Sequence, residues 1–513
     1  MPKRNPPSPL YGKDSDKTQF TITIGHFFTP IGKSVVFLGS KSGKSVIIAW
    51  SISGKSVFLW RQKTGKSVKT MLKRKIEGYI RSYLTSNSNK ILIISGARQV
   101  GKSYIIRHVG QELFANYIEL NMAEDQVGRQ IFANVRTVED FYFAMSTVAG
   151  DKMKDKQTTL VFIDEIQTYS HLLTLLKFLK ADDRFTYIAS GSLLGVTLKQ
   201  TPSIPIGSII IKKMYPLDFE EFLWANHVGA EAIDKMKQLY EECQALPLPL
   251  HERMMNLFKM YLLVGGLPDA VNQFIDTNNI VEVRAIHNDI HHLYKLDAAR
   301  YEEASSKKLI IQRIYDMVPS NLENRKKRVV AKKIEEKKNA RINNYSEEFE
   351  YLIHSGIALE VLAVSQPTYP LVQSMGKNLL KLYMNDVGLF TSILFRHDIK
   401  SVMDDMRSIN LGSVYETLVA QELSAHDQAL YYYDNKQKGE VDFLINDIDN
   451  HSVIPIEVKS GKDYSTHRAL DKFITNPDYN VHKAIVLSNE SSVYREGAIN
   501  YLPIYYIMFV GVE

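Results

Sequence analysis

Eight residues carry the clearest chemistry in this sequence. Gly96-Ala97-Arg98-Gln99-Val100-Gly101-Lys102-Ser103 has the spacing G-x-x-x-x-G-K-S, a loop suited to holding phosphate. Its glycines let the backbone curl so that N–H groups point at phosphate oxygens. Lys102 offers a point charge to the β- and γ-phosphates, and the Ser103 hydroxyl is a hard oxygen suited to Mg²⁺. The apolar run Lys90–Ile94 reads as a buried strand, and Tyr104-Ile-Ile-Arg-His-Val that follows has helical spacing. A helix starting there aims its positive end at the anion. The segment Gly96–Tyr104 is therefore the expected ATP-binding element.

Two further strand ends should lie beside it. Thr159-Leu-Val-Phe-Ile-Asp164-Glu165-Ile-Gln167 reads as a buried strand ending in two carboxylates. In an open α/β sheet, ligands sit at the C-terminal edge of the strands. Asp164 is placed to hold Mg²⁺, and Glu165 to polarise the water that attacks the γ-phosphate. A third strand, Phe185–Ser190, runs into Gly191-Ser192, and Ser190 and Ser192 are candidate sensors of that phosphate. ATP and Mg²⁺ are the cofactors these residues imply.

With these motifs in hand, the chain resembles the AAA-type ATPase domain of bacterial and archaeal proteins that carry a C-terminal domain called DUF4143. Met214-Tyr-Pro-Leu-Asp-Phe-Glu-Glu-Phe-Leu223 and Gly265-Gly-Leu-Pro268 match two signatures of that family. The resemblance spans roughly residues 71–513. It implies an ATPase core over 71–228 and a helical lid over 229–304. One departure stands out. Relatives often carry an arginine after a glycine just before the Pro-Leu segment, where this chain has Ser208 after Gly207. Arg184 and Arg98 are the nearest substitutes for an arginine finger. Without one, slow or partner-dependent turnover is expected.

The C-terminal region holds a second constellation. Asp442 stands in one strand-like run and Glu457-x-Lys459 in the next. Alternate strand residues share a face, so pairing of the two runs would bring Asp442 and Glu457 to one Mg²⁺ with Lys459 beside the water. Glu416, on a neighbouring apolar-striped helix, would add a fourth group. The arrangement resembles the restriction-endonuclease-like PD-(D/E)xK core. It implies either a nuclease fold reused to bind a protein or nucleic acid partner, or an ATP-regulated nuclease acting on DNA.

Residues 305–378 read as short helices and a hairpin, an order similar to a winged helix. The basic stretch from Arg325-Lys-Lys-Arg328 to Lys337-Lys338 is then either a duplex-DNA contact or a solvated helix face, since Glu335 and Glu336 dilute its charge. The expected fold class is α/β. It combines a P-loop AAA-type parallel sheet with helical lid, a winged-helix-like middle and a restriction-endonuclease-like α/β C-terminal domain over 379–513.

Bulk properties set the remaining bounds. The single cysteine, Cys243, forms no internal disulfide and no cysteine-rich metal site. No apolar run reaches the roughly 18–20 residues that span a bilayer, and a cytoplasmic protein with no membrane partner is expected. The net charge of +6 is unevenly spread. Residues 1–70 hold ten Lys and two Arg against two Asp, a net of +10, which leaves the rest at −4.

The same segment repeats Gly-Lys-Ser-Val at Gly32, Gly43, Gly54 and Gly65, one strand and one turn per unit. These are not phosphate loops. The required first glycine is replaced by Phe27, Leu38, Ala49 and Trp60. We expect residues 1–70 to be a translated upstream repeat and the working protein to begin at Met71. Intact-mass measurement on protein from its native source should return the shorter chain; a mass that includes Met1 would contradict this.

Overall fold

The computed structural model describes residues 71–512, apart from short stretches of which the longest are 198–205 and 405–410, and the backbone of four strands before residue 71. The chain divides into two compact units, Met1–Met71 and Leu72–Glu513. In the first, β1 (Phe27–Phe28), β2 (Ser34–Gly39), β3 (Ser45–Ser51) and β4 (Val57–Lys63) form an antiparallel meander in chain order. The repeats thus supply strands. The side chains of the four Gly-Lys-Ser copies lie outside the described residues, as do Arg325, Lys326, Lys337 and Lys338.

In the second unit, β5 (Ile91–Ser95), β6 (Asn116–Asn121), β7 (Thr159–Asp164), β8 (Thr186–Gly191) and β9 (Ile209–Lys213) form a five-stranded sheet in the order β6-β7-β8-β5-β9. Every pairing is parallel. Parallel strands are covered on both faces, which is why β5 and β7 are almost continuously apolar. Leu92, Ile94, Leu160, Phe162 and Ile188 enter the core on one face. Ile93, Val161, Ile163, Tyr187 and Ala189 enter a separate core on the other. Because all five strands run the same way, Ser95, Asp164 and Gly191 finish at one edge.

The Pro-Leu-Asp-Phe-Glu-Glu segment ties this sheet to the helices that follow. Asp218 and Glu221 form a reciprocal cap at the start of the helix Phe219–Ala225. Glu221 also binds buried Arg74, 3.0 Å from its Nε, and Lys75 pairs with Asp218 and Glu220 at 2.7 Å each. Leu217 N–H donates to Gly266 O at 2.7 Å, so the second signature packs on the first. Asp386 accepts from Gly266 N–H at 2.6 Å and caps the next helix through Leu389 N–H at 2.9 Å. Burial raises the Asp386 carboxyl to about 6, against the pull of these N–H donors.

The C-terminal part of the unit is a mixed eight-stranded sheet. It contains β10 (Ala358–Val364), β11 (Met375–Met384), β12 (Tyr431–Asn435), β13 (Gly439–Asp447), β14 (Ser452–Val458), β15 (Ala484–Ser488), β16 (Tyr494–Glu496) and β17 (Ile499–Pro503). Their order is β11-β10-β12-β13-β14-β15-β17-β16. The β10–β11 hairpin, read from sequence as part of a winged-helix-like unit, is built into this sheet through a parallel pairing of β10 with β12. Strand β11 spans position 378, where that unit was expected to end. The helix Gly412–Ala425 is buried along nearly its whole length, so it is covered all round rather than along one stripe. Among the described residues, no helix is long and apolar enough to cross a membrane.

Gly266 is the tightest point of the junction between the two signatures. A Cβ there would lie 2.0 Å from Leu217 O and 2.7 Å from Leu217 N, both backbone atoms that cannot yield cheaply. Gly266→Ala is expected to destabilise the second unit by about 2–4 kcal/mol, read as a lower urea midpoint in chemical denaturation. An unchanged midpoint would show that the junction is looser than described.

Candidate functional site

The phosphate-loop residues form the turn between β5 and the helix Lys102–Leu113. Gly96 has φ +148°, and a Cβ on it would sit 2.2 Å from Met214 O. Met214 N–H donates to Ser95 O at 2.7 Å. The loop therefore starts against backbone from the end of β9, where only glycine fits. Gly101 has φ +96° and stands at the helix N-cap. Gln99, with φ +67°, shares the left-handed region. Tyr104 follows Ser103 on the helix and is exposed.

Lys102 is buried, and its Nζ donates to Gly96 O at 3.0 Å and Ala97 O at 2.8 Å. Burial pulls the ammonium below the usual lysine range, while Glu165 and Asp164 oppose the shift and Arg98 adds to it. The lysine thus stands inside the loop, facing both carboxylates predicted from the end of β7.

Asp164 accepts a hydrogen bond from the Ser190 hydroxyl, and the Ser103 hydroxyl acts on it from close by. Burial raises its carboxyl, and these hydroxyls and Lys102 pull the other way. Glu165 is in left-handed backbone, φ +51°, a conformation that costs energy in a residue with a Cβ and that collects at functional sites. Its carboxylate accepts from Ser192 Oγ at 2.9 Å and from Gln167 Nε2. The structure therefore brings Lys102, Ser103, Asp164, Glu165, Ser190 and Ser192 together at one sheet edge. Ser103 and Asp164 make a hard-oxygen pair that fits Mg²⁺.

Several residues at this site carry no signal in the sequence. Arg74 Nη1 donates to Val100 O at 3.0 Å and Nη2 to Tyr215 O at 2.7 Å, clamping the loop to the Pro-Leu segment. Arg98 pairs with Asp297 at 2.5 Å, and its carbonyl accepts from Tyr294 at 3.2 Å. Gly356, φ +75°, passes so close to the loop that a Cβ would lie 3.0 Å from Ala97 N. Gln167 stands between Glu165 and Ser192, and its Oε1 is buried with no hydrogen-bond partner among the described residues. Apart from the local pairing of Gln167 with Glu165, distant chain segments supply these contacts, so no local spacing betrays them.

Both candidate arginine substitutes are engaged by other side chains. Arg184 is at the opposite end of β8, over the Tyr142 ring at 4.2 Å and 3.7 Å from Asp182. Arg98 is beside the site but engaged by Asp297 and, at 3.5 Å, Ser192. Ser208 is half-buried just before β9.

The second constellation also converges. Strands β13 and β14 pair antiparallel with Phe443 opposite Ile456, which puts Asp442 level with Glu457. Asp442 Oδ2 accepts from Val458 N–H at 2.9 Å, and Lys459 Nζ lies 2.7 Å from Glu457. Glu416 is reached by Lys327, from the basic stretch, and by Tyr383 OH at 2.9 Å. Burial, and then the neighbouring Asp442 charge, raise Glu457 to about 8 against the pull of Lys459. Within the described part of the basic stretch, Lys327 meets Glu416 and Arg328 meets Asp434, whereas Lys332 and Lys333 are exposed.

Comparison with known proteins gives three domain matches: an AAA domain at residues 88–223, a domain of unknown function, DUF8612, at 255–399, and the domain of unknown function DUF4143 at 411–507. An uncharacterized protein of Haemophilus influenzae is 26% identical over 189 residues, 35% of this chain and 44% of that protein. The chain thus spans less than half the length of that relative. Among solved structures, a Walker-type ATPase of Pyrococcus abyssi is 14% identical, with a TM-score of 0.38 over 63% of this chain and 96% of that one. The Thermotoga maritima RuvB Holliday junction branch migration motor is 12% identical, with a TM-score of 0.27 over 57% of this chain and 91% of that one. The AAA match supports ATP binding. Residues 88–223 match an AAA domain and residues 411–507 match the domain of unknown function DUF4143, so the chain combines an AAA-type segment with this C-terminal segment.

Proposed function

We propose that this chain binds ATP with Mg²⁺ through Gly96–Tyr104, hydrolyses it slowly, and acts as a switch on a C-terminal module that binds a protein or nucleic acid partner. The observation that carries the reading is the convergence of Lys102, Ser103, Asp164, Glu165, Ser190 and Ser192 on one edge of a parallel sheet. Loop N–H groups and Lys102 bind phosphate oxygens. Lys102 is already desolvated, so its charge acts on the phosphate with little screening. Ser103 and Asp164 would hold Mg²⁺, which supplies charge neutralisation when bound. Glu165 orients the water and takes its proton. Ser192 and Gln167 keep that carboxylate aimed.

The switch reading is supported by what touches the loop. Ala97 meets Gly356 just before β10, and Arg98 is paired with Asp297 on the helix Ile280–Tyr301. The Pro-Leu segment reaches the C-terminal part through Phe219 N–H, which donates to Glu422 at 2.8 Å. A change in the loop therefore bears directly on the elements that carry the C-terminal sheet. The alternative, an ATP-regulated metal-dependent nuclease, draws its support from the Asp442–Glu457 register.

Phosphate-release and nucleotide-binding assays separate these roles. Lys102→Ala is expected to lose ATP binding. Glu165→Gln should keep binding and lose turnover by about 10²–10⁴-fold, and Ser192→Ala should lower turnover with binding intact. Turnover in Glu165→Gln equal to wild type would remove Glu165 as the base. With Ser208 at the position where relatives often carry an arginine and Arg98 engaged by Asp297, the isolated wild-type chain should turn over slowly. Fast turnover by the monomer would contradict that.

A further inference from the structure

The Asp442–Glu457 cluster would need to share a divalent ion to act as a metal-dependent nuclease, with oxygens completing the ion's shell. The cluster does not fit that need, because protein groups already engage its carboxylates. Lys327 Nζ binds Glu416, whose other oxygen accepts from Tyr383. Lys459 binds Glu457, Lys381 binds Glu440 at 2.5 Å, and Val458 N–H binds Asp442. Glu457 Oε2 is buried with no hydrogen-bond partner among the described residues, but one such oxygen does not make a divalent-ion site. Among the described residues, no group of three or more His, Cys, Asp or Glu is arranged to hold a metal ion.

Lys327 is not a stray surface charge. Its segment is fixed on both sides: Ser413 Oγ donates to Glu323, Arg328 pairs with Asp434, and Val329 N–H donates to Leu380 O at 3.0 Å. Glu416 is 2% exposed, and the half-buried Lys327 reaches in to it. We propose that the Lys327 ammonium is the resident cation of this cluster and that it stands where a nuclease would hold its divalent ion. The nuclease-like residues are then a charge-balanced brace that fixes Lys327, Arg328 and Val329 to the C-terminal part.

Two measurements on the nucleotide-free full chain test this. Mn²⁺ binding, followed by electron paramagnetic resonance, should be the same for wild type and Asp442→Asn. Lys327→Met should gain a Mn²⁺ site that the added Asp442→Asn removes. A wild-type Mn²⁺ site that depends on Asp442 overturns the proposal, as does a folded Lys327→Met chain with no gain. Thermal melting covers poor folding of the single variant. Lys327→Met should lower Tm by stranding Glu416, and adding Glu416→Gln should recover most of the loss. Losses that simply add would overturn the pairing.

Discussion

The structure of the ATPase part turns on one buried charge. Lys102 lies inside the phosphate loop with its ammonium on the Gly96 and Ala97 carbonyls. Burying an ammonium is costly unless dipoles and opposite charges surround it. Here the carbonyls come from a loop that glycine alone can form against Met214, and the opposite charges, Asp164 and Glu165, come from the end of β7. Strand direction, loop conformation and carboxylate position are thus requirements of a single electrostatic arrangement. Phosphate, with its own negative charge, is what such a pre-formed positive site is suited to receive.

The loop is braced rather than free-standing. Arg74, from the start of the unit, reaches Val100, Tyr215 and Glu221 at once. Its guanidinium fork suits three acceptors in different directions. The Pro-Leu-Asp-Phe segment it contacts also carries Leu217 to Gly266 and Phe219 to Glu422. The phosphate loop and the helix Gly412–Ala425 are therefore joined through this segment by short, buried hydrogen bonds.

Much of the nucleotide site is legible in the sequence because it is local. The G-x-x-x-x-G-K-S spacing, the apolar run ending in Asp164-Glu165 and the strand ending at Ser190 each lie within a few residues. The parallel sheet follows from apolar strands alternating with helices. The two signature segments are visible as strings, but their mutual contact is not, since Gly266 meets Leu217 across 49 residues of chain. Arg74, Asp297 and Gly356 escape for the same reason. The basic stretch shows the opposite failure. Its charge is obvious, yet composition cannot reveal that Lys327 and Arg328 are met by Glu416 and Asp434. The hairpin β10–β11 likewise resembles a wing until its pairing with β12 is seen.

The account rests on the claim that the Lys102 loop takes ATP together with Mg²⁺ held by Ser103 and Asp164. Isothermal titration calorimetry of the full chain with ATP, in Mg²⁺ and then in excess chelator, tests it most directly. Saturable binding of about one ATP per chain, weakened when Mg²⁺ is removed, is the predicted result. No saturable binding in Mg²⁺, or binding indifferent to the metal, would contradict it.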